Sequence, residues 1–137
     1  MKIRPISKAD YVSYMALINT FRKSTISQDK FEEIIVKIKE AGDIWVLTHD
    51  NKLLACGTIF FEHKIIHDGS LVAHIEDVVV DASCRGMGYG KLLLDHLREI
   101  SSNYGAYKVV LNCTENTQKF YEKSGFLQKN LQMEYRI

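Results

Sequence analysis

The fold turns on Leu71-Val-Ala-His-Ile-Glu-Asp-Val-Val-Val80 and, just after it, Arg85-Gly-Met-Gly-Tyr-Gly-Lys91. The first segment is β-forming at both ends. The second opens a helix predicted over 90–102, with Leu92, Leu93, Leu97 and Ile100 facing inward. Gly86, Gly88 and Gly90 permit positive φ and let backbone N–H groups approach a ligand closely. A helix N-terminus adds unpaired N–H groups and the positive end of its dipole. With Arg85 and Lys91 on its flanks, the loop suits a phosphate or pyrophosphate. A P-loop would need GxxxxGK[ST], but Arg85 stands five before Gly90 and Leu92 follows Lys91. The Rossmann spacing GxGxxG does not fit GxGxG either. The bland alternative is a turn that merely caps a helix.

The strand before the loop is oddly charged, with His74, Glu76 and Asp77 in its middle. Neighbouring strand residues point to opposite faces, so alternation predicts that Glu76 and Asp77 cannot both be solvated in a central strand. An unpaired buried carboxylate is costly, which makes this pair a candidate for a cleft, where it would hold an amine or accept its proton. An exposed edge strand with ordinary surface acids is the alternative.

Outward from this point the chain alternates between strand and helix patterns. Ile3–Pro5 predicts a short strand, and Ser7 to Asp10 has capping-box spacing. Tyr11, Tyr14, Met15, Ile18 and Phe21 recur at helical intervals, as do Phe31, Ile34, Ile35 and Ile38 before the Ala41-Gly42 stop. Ile44–Thr48 and Leu53–Phe61 form a hairpin around Asp50-Asn51, and 64–70 is a polar connection. Beyond Gly105, Tyr107–Cys113 reads as a strand, Asn116 as the cap of a short helix ending at Gly125, and 126–128 and 132–136 as terminal strands. The order β-α-α-β-β-β-α-β-α-β-β predicts an α+β fold, a mostly antiparallel sheet carrying helices.

The 137 residues, with 46% hydrophobic and 26% charged content, fit one globular domain over 1–137. A net charge of +1 gives no global field for nucleic acid or an anionic membrane. No apolar run of about 18 residues or signal-peptide core is visible, so a cytoplasmic protein is expected. Cys56, Cys84 and Cys113 are odd in number and form no CxxC pair, a pattern of free thiols. Glu62, His63, His67 and His74 match no zinc spacing, so no metal is expected.

Arg85-Gly-Met-Gly-Tyr-Gly90 resembles the Q/R-x-x-G-x-G/A acetyl-CoA loop of the GNAT superfamily of acetyltransferases. Lys64-Ile-Ile-His67, His74-Ile-Glu-Asp77, Gly90-Lys-Leu-Leu93, Tyr107-Lys108, Lys119-Phe-Tyr-Glu-Lys-Ser-Gly-Phe126 and Arg136 resemble the glucosamine 6-phosphate N-acetyltransferases of UDP-N-acetylglucosamine synthesis. The resemblance covers nearly the whole chain. It implies the GNAT fold, with helices on both faces of the sheet, and acetyl-CoA as co-substrate.

The same resemblance assigns roles. Val78, Val79 and Val80 would offer backbone groups to the pantetheine arm, between strands that splay apart. Arg85, Gly86, Met87, Gly88, Tyr89, Gly90 and Lys91 would cradle the pyrophosphate. Asn116 would reach the pantetheine amide, with Glu122 and Lys123 near the cofactor. Tyr121 would assist the departing thiolate, where charge develops. Lys64, Ile65, Ile66, His67, Glu76, Asp77, Val78, Tyr107, Lys108 and Arg136 would bind the sugar phosphate, Arg136 through paired donors. A homodimer with a shared substrate site is implied.

Two positions depart from that pattern. Asn112 stands where the family carries Asp or Glu, leaving Glu76, relayed water or solvent as base. Alignment puts Phe21, with Thr20 beside it, where the family has a substrate-binding threonine. The implied chemistry is direct attack of the amine on the thioester, with Glu76 and Tyr121 as catalytic residues. A covalent route through Cys84, beside Arg85, is the chemical alternative. Other readings are a GNAT enzyme for another small amine, or a non-catalytic acyl-CoA-binding module.

Overall fold

The computed structural model describes residues Met1–Ile137, and its secondary structure is built on five strands. Strands β1 (Lys2–Pro5), β2 (Gly42–His49), β3 (Lys52–His63), β4 (Leu71–Val80) and β5 (Ala106–Leu111) form a single sheet in the order β1-β2-β3-β4-β5. The first three pairings are antiparallel, and β4 pairs with β5 in parallel. Helices α1 (Tyr11–Ile18) and α2 (Gln28–Lys39) precede β2, and a single turn, α3 (Ile66–Gly69), joins β3 to β4. Helix α4 (Tyr89–Asn103) crosses from β4 to β5, and α5 (Glu115–Lys123) follows the sheet.

Alternation along the strands sends side chains to two cores. Leu47, Ala55, Ile59, Ala73 and Ile75 pack against Leu93, Leu94 and Leu97 of α4. Ile44, Val46, Cys56 and Val79 pack against Leu17 of α1 and Phe31 and Ile35 of α2 on the other face. Helices therefore cover both faces of the sheet, as expected. One inward assignment in α4 changes: Leu92 is exposed and Leu94 is fully buried. A 3.6-residue period admits only one stripe, and the stripe centred on Leu93 and Leu97 takes in position 94.

Local chemistry explains the ends. Asp50 and Asn51 both take positive φ, as a two-residue hairpin turn requires. Ser27 caps α2 by accepting from Lys30 N at 3.2 Å. The carboxylate of Asp10 accepts from Ser7 N at 2.8 Å and Ser7 Oγ at 3.0 Å, which ties the entry to α1. Arg4 donates to it twice, at 2.7 and 2.8 Å, so β1 and the start of α1 are pinned together. The helical pattern stops short of Phe21, because Asn19 turns the chain: its side chain donates to Met15 O and Ser24 O.

The C-terminus differs from expectation. Neither 126–128 nor 132–136 forms a strand, although Leu131, Met133, Tyr135 and Ile137 alternate as a strand would. A strand is defined by its ladder, and this segment has no partner strand within the chain. Its apolar side chains, Leu127 included, stay more than three-quarters exposed. No helix is long and apolar enough to cross a membrane.

Candidate active site

A defect in β4 makes the site. Cys56 pairs with Val79 and Thr58 with Glu76, so Gly57 alone faces both Asp77 and Val78. This is a β-bulge, and Asp77 absorbs it with a φ of 51°, unusual for a residue with a Cβ. The bulge breaks the alternation, so Glu76 and Asp77 are both exposed. The expectation that one of them must be buried is therefore corrected: strict period-two reasoning fails once an extra residue enters the strand.

The pairing of β4 with β5 ends at Ile75 and Leu111, one residue before Glu76. From there the β5-facing edge of Glu76 to Val80 has no ladder partner, which leaves a wedge between the two strands. Val78, Val79 and Val80 line it with backbone groups, while the Val79 side chain is buried in the core below.

At the wide end of the wedge lies the glycine loop. Gly86 and Gly88 take φ of 80° and 86°, and their N–H groups find no backbone acceptor. Gly88 caps α4, so the N–H groups of Tyr89, Gly90 and Lys91 open the helix without intrahelical partners. Arg85 is folded back, its Nε donating to Val80 O at 3.2 Å. Lys91 is paired with Asp95 at 2.5 Å, and the Met87 side chain is exposed. Five unpartnered amides at a helix N-terminus fit a pyrophosphate on their own chemistry.

Helix α5 closes the other side. Its cap is Thr114, and Asn116 lies within the first turn; the expected cap at Asn116 is displaced because the helix begins two residues earlier. Arg98 of α4 donates to Ser124 O at 3.0 Å, docking the end of α5. Phe120 packs over Gly90, and Tyr121 packs edge-on against Phe120 and Phe126, with ring centroids 5.0 and 6.0 Å away. Burial, with the nearby Cys113 thiol, pushes the Tyr121 phenol above the usual range for tyrosine. It therefore stays a hydrogen-bond donor at neutral pH. In the same helix Glu122 accepts from Gln118, and Lys123 ends the last turn.

The residues expected to hold the sugar phosphate fall into three places. Lys64, Ile65, Ile66 and His67 sit at the β3–β4 turn, where the His67 ring lies 5.0 Å from Tyr107 and Lys108 lies 5.4 Å over the same ring. Glu62 accepts from Lys64 Nζ at 2.9 Å and from His74 Nε2 at 3.2 Å, which holds its carboxyl below the usual range. The pairing of Glu62 with Lys64 and His74 leaves no mark in the sequence, because it depends on the register of β3 against β4. No group of three such side chains is placed to hold a metal.

Glu76, Asp77 and Val78 form the second place, at the bulge. Lys108 pairs with Val72, so Glu76 is four residues further along the strand, about 13 Å away. The two places share the face opposite α4, where α1 and α2 cover β2 and β3 but leave His74, Glu76 and Lys108 accessible. Arg136 stands apart on the C-terminal segment, paired only with Glu134. Thr20 donates to Leu17 O at 2.7 Å, and Phe21 carries Arg22 over its ring. Cys84 is buried, its thiol directed at Asp81 O.

Comparison with known proteins agrees with this fold. The sequence profile of the acetyltransferase (GNAT) family matches residues 9–126. Glucosamine 6-phosphate N-acetyltransferase 1 of Dictyostelium discoideum is 33% identical over 97% of the chain and 88% of the relative. The enzyme of that name from Oryza sativa subsp. japonica is 36% identical over 96% and 84%. The crystal structure of glucosamine-6-phosphate N-acetyltransferase from Arabidopsis thaliana superposes with a TM-score of 0.87 and 31% identity, covering 98% of this chain and 97% of that one. The chain belongs to the GNAT family, acyltransferases that use acetyl-CoA, and within it to the glucosamine 6-phosphate N-acetyltransferases.

Proposed function

We propose that this enzyme acetylates the 2-amino group of D-glucosamine 6-phosphate, giving N-acetyl-D-glucosamine 6-phosphate, the reaction for which its relatives are named. One observation carries the reading. One open sheet face holds an unpaired carboxylate, Glu76, at the strand fork and the Lys108 ammonium further along it, with Lys64 and His67 at the adjoining β3–β4 turn. A carboxylate suits an amine, and the cations suit a phosphate monoester. A polyamine or aminoglycoside would be repelled by those cations.

Acetyl-CoA supplies the acetyl group as a thioester. The amides of Gly86, Gly88 and the start of α4 hold its pyrophosphate, with Arg85 and Lys91 adding charge. Val78 to Val80 offer backbone groups to the pantetheine arm, and Asn116 reaches its amide. Glu76 orients the substrate amine and takes its proton; a sugar amine is less basic than a lysine, so a modest base suffices. Tyr121 donates its phenolic proton toward the sulfur as the bond breaks.

The same proposal includes a homodimer. The free edge of β5 borders a groove of about 480 Å³ lined by Arg98, Ser102, Tyr107, Lys108 and Val109. The alternating apolar segment 131–137 of a second copy fits such an edge by strand addition. Arg136 would then reach the partner's site rather than its own.

Thiol release from acetyl-CoA against a panel of amines tests the reading. Turnover with glucosamine 6-phosphate that collapses when the phosphate is removed is expected. Equal rates with glucosamine, or turnover only with polyamines, would reject it. Acetyl-CoA binding without turnover on any amine would favour a non-catalytic module, for which the amide of Asn112 is the argument.

A further inference from the structure

Helix α5 carries Tyr121, yet none of its residues is fully buried. Two rings hold it to the body: Phe120 lies over Gly90, and Tyr121 packs on the core cluster of Leu93, Leu94 and Leu97. Apolar contact is non-directional, so it sets how far the helix stands from α4 and leaves it free to slide. Only one hydrogen bond joins residues 114–126 to the chain that precedes them. Arg98 Nη1 of α4 donates to Ser124 O at 3.0 Å. A hydrogen bond has a preferred direction, which packing lacks.

The carbonyl that Arg98 takes belongs to a turn closed on Tyr121 itself. Ser124 N and Phe126 N both donate to Tyr121 O, at 3.0 and 3.1 Å, and the Phe126 ring returns edge-on to the Tyr121 ring. A shift of Ser124 O therefore carries directly into the Tyr121 backbone. Ser124 is buried, and its carbonyl accepts from no other group of the protein. An unmet buried carbonyl is costly, so without Arg98 the turn would move toward water. Asp95 orients the guanidinium: its Oδ1 lies 3.4 Å from the same Nη1, while its Oδ2 accepts from Lys91 of the glycine loop. One carboxylate thus ties the loop to the bond that fixes α5.

We propose that Arg98 is a positioning residue for the transfer step: by holding Ser124 O it fixes the sliding position of α5 and so the place of the Tyr121 hydroxyl. This rests on the thiolate role given to Tyr121 above. A donor aimed at developing charge acts only from the right place, and a misplacement of an ångström far from the reacting atoms is enough to slow a reaction strongly. Arg98 acts through Tyr121 alone, so its contribution disappears when the phenolic oxygen is removed.

The test is Arg98→Met, which removes the donors and keeps an unbranched stem, made in the wild type and in Tyr121→Phe. Hydrogen exchange reads the clamp without reference to activity. The Ser124 and Phe126 amides should exchange about three- to tenfold faster, the scale of one hydrogen bond, while those of β3 hold. In the wild-type background kcat should fall about tenfold, with the KM for acetyl-CoA unchanged. In the Tyr121→Phe background the same substitution should alter kcat by less than about twofold, since both changes remove one contribution. Equal losses in the two backgrounds would mark a merely structural residue and overturn the assignment. A wild-type kcat in Arg98→Met, or unchanged exchange, would overturn it as well and leave the role of Tyr121 standing. A wild-type kcat in Tyr121→Phe would overturn the thiolate role itself, and the assignment with it.

Discussion

Gly90, the second residue of α4, lies so close to Phe120 of α5 that a Cβ there would stand 2.9 Å from the ring's Cζ, with Val80 Cγ2 at 3.2 Å on its other side. The start of α4, the end of β4 and the residue beside Tyr121 therefore meet at one point. Gly90→Ala should gain about 1 kcal/mol of helix propensity and spend a similar amount moving the ring. Its urea midpoint should stay near that of the wild type, while the KM for acetyl-CoA rises and kcat falls. Gly90→Val adds two more methyl groups and should lose about 1–3 kcal/mol outright. Wild-type kinetics in Gly90→Ala would show that the contact does not shape the site.

Tyr121→Phe should lower kcat by a factor on the order of 10², the scale of removing one donor to developing charge. Acetyl-CoA affinity should barely change, as measured by titration. Burial raises this phenol's pKa, so the protonated donor persists past the ordinary value of 10.0. The alkaline limb of the wild-type kcat profile should therefore lie above that pH and vanish in Tyr121→Phe.

Glu76 ends one side of the fork, and Asn112 follows the last residue paired on the other. If Glu76 is the base, Glu76→Gln should cut kcat by about 10²- to 10⁴-fold and remove its acid limb. Asn112→Asp would place a second carboxylate near the first and should move that limb to higher pH, because like charges disfavour double ionisation. A pH–rate profile of each variant decides the matter. An intact acid limb in Glu76→Gln would eliminate Glu76.

Arg4 and Asp10 make a partly buried, two-pronged ion pair, and Arg4 is the main cause that lowers the Asp10 pKa. A depressed carboxylate pKa stabilises the fold above the unfolded value of 3.8 and loses that contribution as pH falls through the folded value. Asp10→Asn should cost about 2–3 kcal/mol at pH 7 and flatten the acid-unfolding curve below pH 4. Equal acid sensitivity in the variant would mean that another carboxylate governs it.

Truncation after Lys129 removes the exposed segment with Leu131, Met133, Tyr135 and Arg136. Sedimentation equilibrium should show dimer for the whole chain and monomer for the shortened one, with activity lost alongside. Arg136→Ala should keep the dimer and raise only the KM for the phosphorylated sugar. Mixing Arg136→Ala with Tyr121→Phe should restore part of the activity if the site is shared between copies. A monomeric, active full-length chain would remove the dimer from the proposal.

Most of the fold was legible because local periodicity carried it. The 3.6-residue stripes of α2 and α4, the Asp50-Asn51 turn and the glycine stops act within a few residues, and Leu71–Val80 was bounded correctly by β propensity. The α1 stripe overran to Phe21, since the side-chain bonds of Asn19 that turn the chain leave no periodic mark. Terminal strands were expected from alternation alone, yet a strand needs a partner that the single chain does not provide.

At the site the division is sharper. The loop from Arg85 to Lys91 carries its own local structure, because glycine spacing and a helix start suffice to leave its amides unpartnered. The bulge at Asp77 was invisible: it exists only because Gly57 of β3 must span two residues of β4, a fact of register between distant segments. The bulge exposes Glu76 and Asp77 together and stands where the β4–β5 ladder has ended. Sequence alone determined the glycine loop at the start of α4 and the inventory of charged groups. Which of those groups share a face, and which are left without partners, was decided by strand pairing, since hydrogen-bond register is a property of two segments and never of one.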